Sequence, residues 1–138
     1  MSFMEWQDSF ALGIEKFDEN HKQLINLINK IHDEFSSGAT IEHLDKVLLT
    51  LSNYATYHFA SEERWMSLHG YPDLHQHQKE HFSFSNKIVE LRDAFYNGEP
   101  DVSKELLQFL VTWLTNHILD SDARYGRFAR EIPGTGAT

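Results

Sequence analysis

The stretch HQHQKEH, residues 75–81, holds three of the nine histidines of the chain and places His77 and His81 four positions apart. On an α-helix, side chains at i and i+4 lie on one face, one turn apart. His75 falls on a different face. The pair predicts a helix that presents two imidazoles in one direction, so the partners they meet have to be found elsewhere in the chain.

Three loop signals divide the chain around this stretch into four helical segments. The sequences SSGAT (36–40), HGYPD (69–73) and NGEPD (97–101) each contain glycine, and two contain proline, as the ends of helices often do. Between them apolar residues recur with helical spacing, as Ile28, Ile31 and Phe35 do in the first segment. Amphipathic helices joined by short loops predict an all-α, up-down-up-down four-helix bundle.

Length and composition favour a single domain over residues 1–138. Its expected parts are an N-terminal arm (1–18), helices near 19–36, 41–68, 73–96 and 102–120, and a short C-terminal tail (121–138). The chain lacks cysteine, which excludes thiolate metal sites, and its net charge of −9 argues against nucleic acid. No apolar stretch reaches the ~20 residues of a membrane span, and the start does not resemble a secretory signal. We expect a cytoplasmic monomer with no membrane insertion.

The inward stripes of all four segments continue into residues that can bind a metal. These are His21 in the first segment, His58 and Glu62 in the second, His77 and His81 in the third, and His117 in the fourth. Counted from the turns they fall at similar depths, since Glu62 lies eight residues before Gly70 and His77 seven after it. At about 1.5 Å per residue, the mismatches stay within one helical turn. Five histidines and a carboxylate are therefore expected at one level of the bundle.

One histidine on an apolar stripe is more often a satisfied core residue than a ligand. His32, for example, lies eleven residues from His21, or about 16 Å along the helix, and is too far away to join it. We expect four histidines to be structural or solvated: His32, His43, His69 and His75. Burying the other five with a carboxylate would be costly without a cation, because buried polar groups need partners. A metal site is therefore predicted.

The donor set favours iron, copper or zinc over magnesium or calcium, because imidazoles outnumber carboxylates. Five imidazoles exceed what one tetrahedral zinc ion uses, so two metal ions are expected. With two bridging carboxylates and a bridging oxide or hydroxide, two octahedral ions keep one position open for a small diatomic ligand. The second carboxylate must come from the fourth helix. Asp120, three residues after His117, shares its face, whereas Asp122 does so only if the helix widens or ends there, so spacing alone favours Asp120.

Four motifs in this order resemble those of the hemerythrin family, and within it the single-domain bacterial hemerythrins. They are GIEKFDENHKQL around His21, HFASEE with His58 and Glu62, HQKEH with His77 and His81, and WLTNHILDSD with His117 and Asp122. The resemblance covers nearly the whole chain, and no ligand of the family's pattern is missing. It implies Asp122 as the second carboxylate, with Asp120 as the second choice, and therefore a local distortion of the fourth helix.

The resemblance also implies how the ligands are shared between two non-haem iron ions joined by an oxo or hydroxo bridge. The implied ligands are, for one iron, His77, His81 and His117; for the other, His21 and His58; and as bridges, Glu62 and Asp122. The iron with two histidines keeps the open position, where O2 binds. A pocket that excludes water would protect the bound O2. Five residues are candidates to line this pocket, although each could equally be an ordinary core residue: Ile25, Phe59, Trp113, Leu114 and Ile118.

We therefore expect a non-enzymatic protein, without catalytic residues, that binds dioxygen reversibly for oxygen transport, storage or delivery to an oxygen-using protein partner. Two alternatives stay open. One is a di-iron reductase of nitric oxide or peroxide, which ranks lower because no acid, base or nucleophile is evident outside the ligand set. The other is an oxygen sensor that acts through a separate partner.

Overall fold

Four long helices make up most of the chain in the computed structural model, which describes residues 3–38 and 40–131. They are α1 (Glu15–Ser36), α2 (Ile41–Leu68), α3 (Leu74–Tyr96) and α4 (Val102–Asn116). A π-helical turn (His117–Asp122) and a shorter helix, α5 (Ala123–Glu131), continue α4, and a 3-10 turn (Asp8–Phe10) lies in the arm. Each long helix packs against its neighbours in sequence, and α1 packs against α4. The predicted all-α four-helix bundle is confirmed.

The loops reverse the chain within a few residues, because glycine ends the helix before each of them. Gly70, after α2, has a φ of 68°, and Gly98, after α3, has a φ of 72°, a region that other residues rarely adopt. The amides that follow bond back to the helices, from Tyr71 to the Met66 carbonyl at 2.9 Å and from Glu99 to the Ala94 carbonyl at 3.1 Å. These tight ends set neighbouring helices antiparallel.

Two apolar clusters fill the bundle, with a polar layer between them. The larger cluster includes Leu24 of α1 and Ala55 of α2, and the smaller one includes Phe17 of α1 and Met66 of α2. His21 therefore lies between the two clusters along α1, and the part of α2 that carries the predicted ligands does the same. Among the described residues, no helix combines the length and apolar character needed to cross a bilayer.

The arm and tail differ from the sequence-based expectation. Helix α1 begins at Glu15, not near residue 19, and the arm is packed, since Asp18 accepts hydrogen bonds from the amides of Leu12 (2.8 Å) and Gly13 (3.2 Å). The prediction of a tail from residue 121 is wrong for residues 121–131, which are helical. Helix α5 is held by the fully buried Tyr125. The rest of the predicted tail, 132–138, lies outside the described residues.

Candidate metal centre

Seven polar side chains from four helical elements converge in the layer between the two apolar clusters. None is more than 4% exposed, and they are His21 of α1, His58 and Glu62 of α2, His77 and His81 of α3, and His117 and Asp122 of the π-helical turn. Burying this many polar groups requires that they satisfy one another or bind a cation. The five histidines and the carboxylate that we expect at one level, from their distances to the turns, do meet in this layer.

Three of the histidines form one half of this cluster. Ligand-type atoms of His77, His81 and His117 all lie within 4.8 Å of one another, and the Nε2 atoms of His81 and His117 are 3.2 Å apart. Two imidazole nitrogens this close face a common point. Three convergent imidazoles can hold one divalent transition metal.

The other half is built by α1 and α2. Ligand-type atoms of His21, His58 and Glu62 also lie within 4.8 Å of one another, and the two imidazole rings meet edge to face with centroids 4.6 Å apart. His58 and Glu62 are one helical turn apart, so a continuous α-helix is enough to aim both at the same point. This half offers two imidazoles where the first offers three.

Each of the two carboxylates faces both halves. Oδ1 of Asp122 lies 2.7 Å from Nε2 of His77 and 3.2 Å from Nε2 of His117, while its Oδ2 lies 3.1 Å from Nε2 of His21. Oε1 of Glu62 lies 3.1 Å from Nε2 of His58 and 3.5 Å from Nε2 of His81. A carboxylate in this position can bridge two cations, one held by each half.

The π-helical turn brings Asp122 into the cluster. Hydrogen bonding from i to i+5 widens the helix, so a residue five positions after His117 returns to its face. Asp120, which spacing alone had favoured, is 75% exposed and its carboxylate lies 3.4 Å from Arg124. The structure thus overturns that spacing argument, and the distortion that the resemblance implied is present.

Several buried atoms of the cluster make no hydrogen bond to the described residues. They are both ring nitrogens of His21, Nε2 of His58, both carboxylate oxygens of Glu62 and Oδ2 of Asp122. Such orphaned donors and acceptors are rare in folded proteins because each costs about 1–3 kcal/mol. Apart from Nδ1 of His21, these atoms belong to the groups whose ligand-type atoms converge between the two halves. A mostly imidazole set with two carboxylates fits a pair of iron ions there.

The charges within the cluster keep both central carboxyls ionised. Burial would raise the pKa of Asp122, but the neighbouring histidines, His117 above all, hold it well below its usual value. Burial would also raise the pKa of Glu62, but interactions that include those with His58 lower it below its usual value. For His117, burial lowers the pKa, yet Asp122 and Glu80 raise it to about 10. Two negative charges therefore remain at the centre, and protons or metal ions must balance them.

Three residues that the sequence did not single out hold the outer nitrogens of the histidines. Oδ1 of Asn20 lies 2.9 Å from Nδ1 of His58, Oε2 of Glu63 lies 2.7 Å from Nδ1 of His81, and Oε1 of Glu80 lies 2.9 Å from Nδ1 of His117. Each of these hydrogen bonds favours the tautomer with the proton on Nδ1. The lone pair of Nε2 is then free to bind a metal ion in the centre. The sequence feature that could have identified these three residues is that each is adjacent to a predicted ligand on its own helix.

Aromatic rings cover the centre on one side. Phe59 stacks on His81 with ring centroids 3.9 Å apart, and Trp113 stacks on His117 at 4.4 Å. Next to them is a small apolar cavity of about 10 Å³ lined by Leu24, Ile28, Leu51, Ala55, Phe59, Phe84, Trp113 and Leu114. Phe59, Trp113 and Leu114 were among the five predicted pocket residues. The other two, Ile25 and Ile118, are buried but do not line this cavity.

The remaining four histidines lie apart from the cluster. His32 stacks on Phe3, His69 stacks on Trp65, and His43 is half exposed beside Glu34, as expected of structural or solvated residues. His75 is exposed. Of the three histidines in HQHQKEH, His77 and His81 are therefore buried in the cluster, whereas His75 is exposed.

Comparisons with known proteins agree with this geometry. Residues 12–129 match the family model described as Hemerythrin HHE cation binding domain. The chain is 34% identical over 125 residues to a bacteriohemerythrin of Clostridium acetobutylicum, covering 87% of this chain and 96% of that one. It is 31% identical to a myohemerythrin of Theromyzon tessulatum, covering 88% and 89%. A crystal structure of wild-type hemerythrin superposes with a TM-score of 0.84 at 30% identity, covering 99% and 100%.

Proposed function

The chain belongs to the hemerythrin family, whose members bind oxygen at a di-iron centre, and from this premise we propose that it is a reversible dioxygen carrier. The carrier role covers transport, storage or delivery of oxygen to an oxygen-using protein. We assign it to a monomer in the cytoplasm that is not an enzyme.

The proposal assigns seven ligands to the two irons. His77, His81 and His117 would hold one iron, His21 and His58 the other, and Glu62 and Asp122 would bridge them. The observation that carries this assignment is the convergence of the ligand-type atoms, among which buried atoms of His21, His58, Glu62 and Asp122 make no hydrogen bond to the described residues. A pair of cations would satisfy all of them except Nδ1 of His21.

When bound, the two irons supply the electrons and the coordination position that dioxygen needs. The side chains around them would keep water from that position, since Phe59, Trp113 and Leu114 present apolar surface beside the centre. Excluding water would favour release of dioxygen unchanged over its loss in a reduced form.

The ligand set supports binding in preference to oxidation chemistry. Two carboxylates accompany five imidazoles, whereas ferritin-like di-iron sites carry more carboxylates. Fewer negative ligands give less support to highly oxidised iron, which oxygen-activating enzymes need. This charge balance is the physical reason for preferring reversible binding of dioxygen to its activation.

The proposal is tested by removing single ligands. His58→Ala and Glu62→Ala, loaded with ferrous iron without oxygen, should lose bound iron and dioxygen uptake together. His75→Ala is the matched control, since it removes an exposed histidine and should keep both. If purified His58→Ala retained two irons and normal dioxygen uptake, the assignment would be wrong. Steady turnover of nitric oxide or peroxide with a reductant, faster than autoxidation, would instead identify an enzyme.

A further inference from the structure

Within residues 3–38 and 40–131, acidic side chains contact only one half of the centre from outside. Glu80 accepts from Nδ1 of His117 and also from the hydroxyl of Ser121, at 2.5 Å, and Glu63 accepts from Nδ1 of His81. Both glutamates are partly buried, with 25% and 26% of their side chains exposed. Among the described residues, neither carboxylate has a lysine or arginine nitrogen within 4.0 Å. Their negative charge is therefore directed at the histidines.

The described residues place no such charge against the outer nitrogens of the other half. His58 is held by Asn20, a neutral amide whose own NH2 group donates to the hydroxyl of Tyr54 at 3.1 Å. Nδ1 of His21 is buried and makes no hydrogen bond to the part of the chain that the structure describes. The two halves thus differ by two outer carboxylates as well as by one imidazole.

We infer that Glu63 and Glu80 make the two metal positions unequal, so that the half formed by His77, His81 and His117 binds a divalent cation more tightly and fills first. The inference rests on the ligand assignment proposed above. A carboxylate that accepts a hydrogen bond from Nδ1 raises the basicity of the imidazole, and its charge attracts the cation through the ring. An amide such as Asn20 fixes the ring equally well but adds no charge. Glu63 and Glu80 are accordingly positioning residues with an electrostatic effect.

The π-helical turn contributes to this arrangement. Ser121 lies within it, and its hydroxyl donates to the same oxygen of Glu80 that binds His117. One distortion of the helix therefore turns Asp122 inward and also anchors Glu80 against His117. Glu80 accepts from His117 and Ser121 on one oxygen and from Nε2 of Gln76 on the other, at 3.4 Å, so its charge is held in place.

The test is a stepwise titration of the iron-free full-length chain with Co²⁺, whose absorption reports each binding step. The unmodified protein should bind two ions with resolved dissociation constants. His117→Ala should remove the tighter step and His58→Ala the weaker one, which identifies the halves. Glu80→Gln keeps an oxygen acceptor for His117 and Ser121 but removes the charge. It should weaken the tighter step about tenfold or more and leave the weaker step unchanged.

Two further variants separate charge from structure. Glu63→Gln should act like Glu80→Gln, with a similar selective loss. Asn20→Asp places the same charge on the other half and should tighten the weaker step, narrowing the gap between the two constants. A merely structural role would weaken both steps, or neither, in all three variants.

The outcomes distinguish this inference from the proposed function. Two equal Co²⁺ constants in the unmodified protein, or glutamine variants that change both steps equally or by less than twofold, would overturn the inference and leave the ligand assignment intact. Failure of the unmodified chain to bind two ions would overturn the ligand assignment, and the inference with it.

Discussion

Nε2 of His117 and Oδ1 of Asp122 lie 3.2 Å apart although five residues separate them, because the chain between them forms a π-helical turn. A regular α-helix would rotate Asp122 away from the face of His117. The helix instead widens by one residue within the candidate centre, as such turns often do at functional sites. This departure from regular helix brings the second carboxylate into the candidate centre.

The first prediction separates the two aspartates of this turn. Asp122→Asn should lower bound iron per chain, because the amide removes a buried negative charge between the two halves. Asp120→Asn should leave iron content unchanged, since Asp120 is exposed beside Arg124. Metal analysis of both purified variants decides the matter, and loss of iron from Asp120→Asn alone would reverse the assignment.

The second prediction concerns a buried hydroxyl next to the centre. Tyr125 is fully buried, and its hydroxyl makes no hydrogen bond to the residues that the structure describes. Burial and the charges of Glu62 and Asp122 raise its pKa, so the hydroxyl stays protonated. Tyr125→Phe removes a polar group without a partner and should increase the free energy of unfolding of the iron-free protein by about 1 kcal/mol.

Denaturant unfolding checks this, with Tyr57→Phe as the control, since Tyr57 is 53% exposed and should give little change. A decrease in stability in Tyr125→Phe would mean that the hydroxyl has a partner after all.

The third prediction tests the core with two leucines of the same helix. Leu51 is fully buried in the larger apolar cluster, whereas Leu49 is 51% exposed. Leu51→Ala should lower the free energy of unfolding by about 2–5 kcal/mol, because it leaves a cavity that the bundle fills only partly. Leu49→Ala should change it by less than about 0.5 kcal/mol. Equal losses in the two variants would contradict the burial pattern of α2.

The fourth prediction concerns the ion pair between α2 and α3. Nε of Arg92 donates to Oδ1 of Asp45 at 2.5 Å, and hydrogen bonding to Arg92 lowers the pKa of the Asp45 carboxyl. Because the folded pKa lies below the unfolded value of about 3.9, the pair stabilises the protein above that pH and loses its effect as the pH falls through the lowered pKa. At neutral pH the contribution of this partly exposed pair is small, because solvent screens the two charges.

Unfolding curves of iron-free Asp45→Asn and unmodified protein, compared over a range of pH, provide the measurement. The two free energies should differ at neutral pH and converge in acid. If the difference between the two free energies of unfolding grew as the pH fell, the Asp45 pKa would be shifted in the opposite direction.

Much of this molecule could be predicted from the sequence, because its signals are periodic or local. The helical spacing of Leu24 and Ile28, and the glycines at the turns, predict the bundle. Depth counted from those turns brings His21, His58 and His117 to one level, because the rise per residue of a helix is fixed. These arguments need no knowledge of side-chain contacts.

Other features depend on contacts between distant parts of the chain. Glu80 precedes His81 in sequence but binds His117 on another element, and Asn20 precedes His21 but binds His58. Local spacing does not reveal such cross-helix pairings. Helix α5 was missed for a similar reason, since its polar sequence ARYGRFARE is held by Arg130 donating to the Leu12 carbonyl at 2.6 Å. The π-helical turn was implied by resemblance alone, because regular helical geometry favoured Asp120.

The most direct test of the di-iron oxygen carrier is an absorption titration with dioxygen that starts from anaerobic, ferrous-loaded protein and is paired with iron analysis. The account predicts two irons per chain and a visible absorption band that rises with dioxygen and falls when it is removed, over repeated cycles. A chain that holds no iron after loading, or a band that forms once and does not reverse, would contradict it.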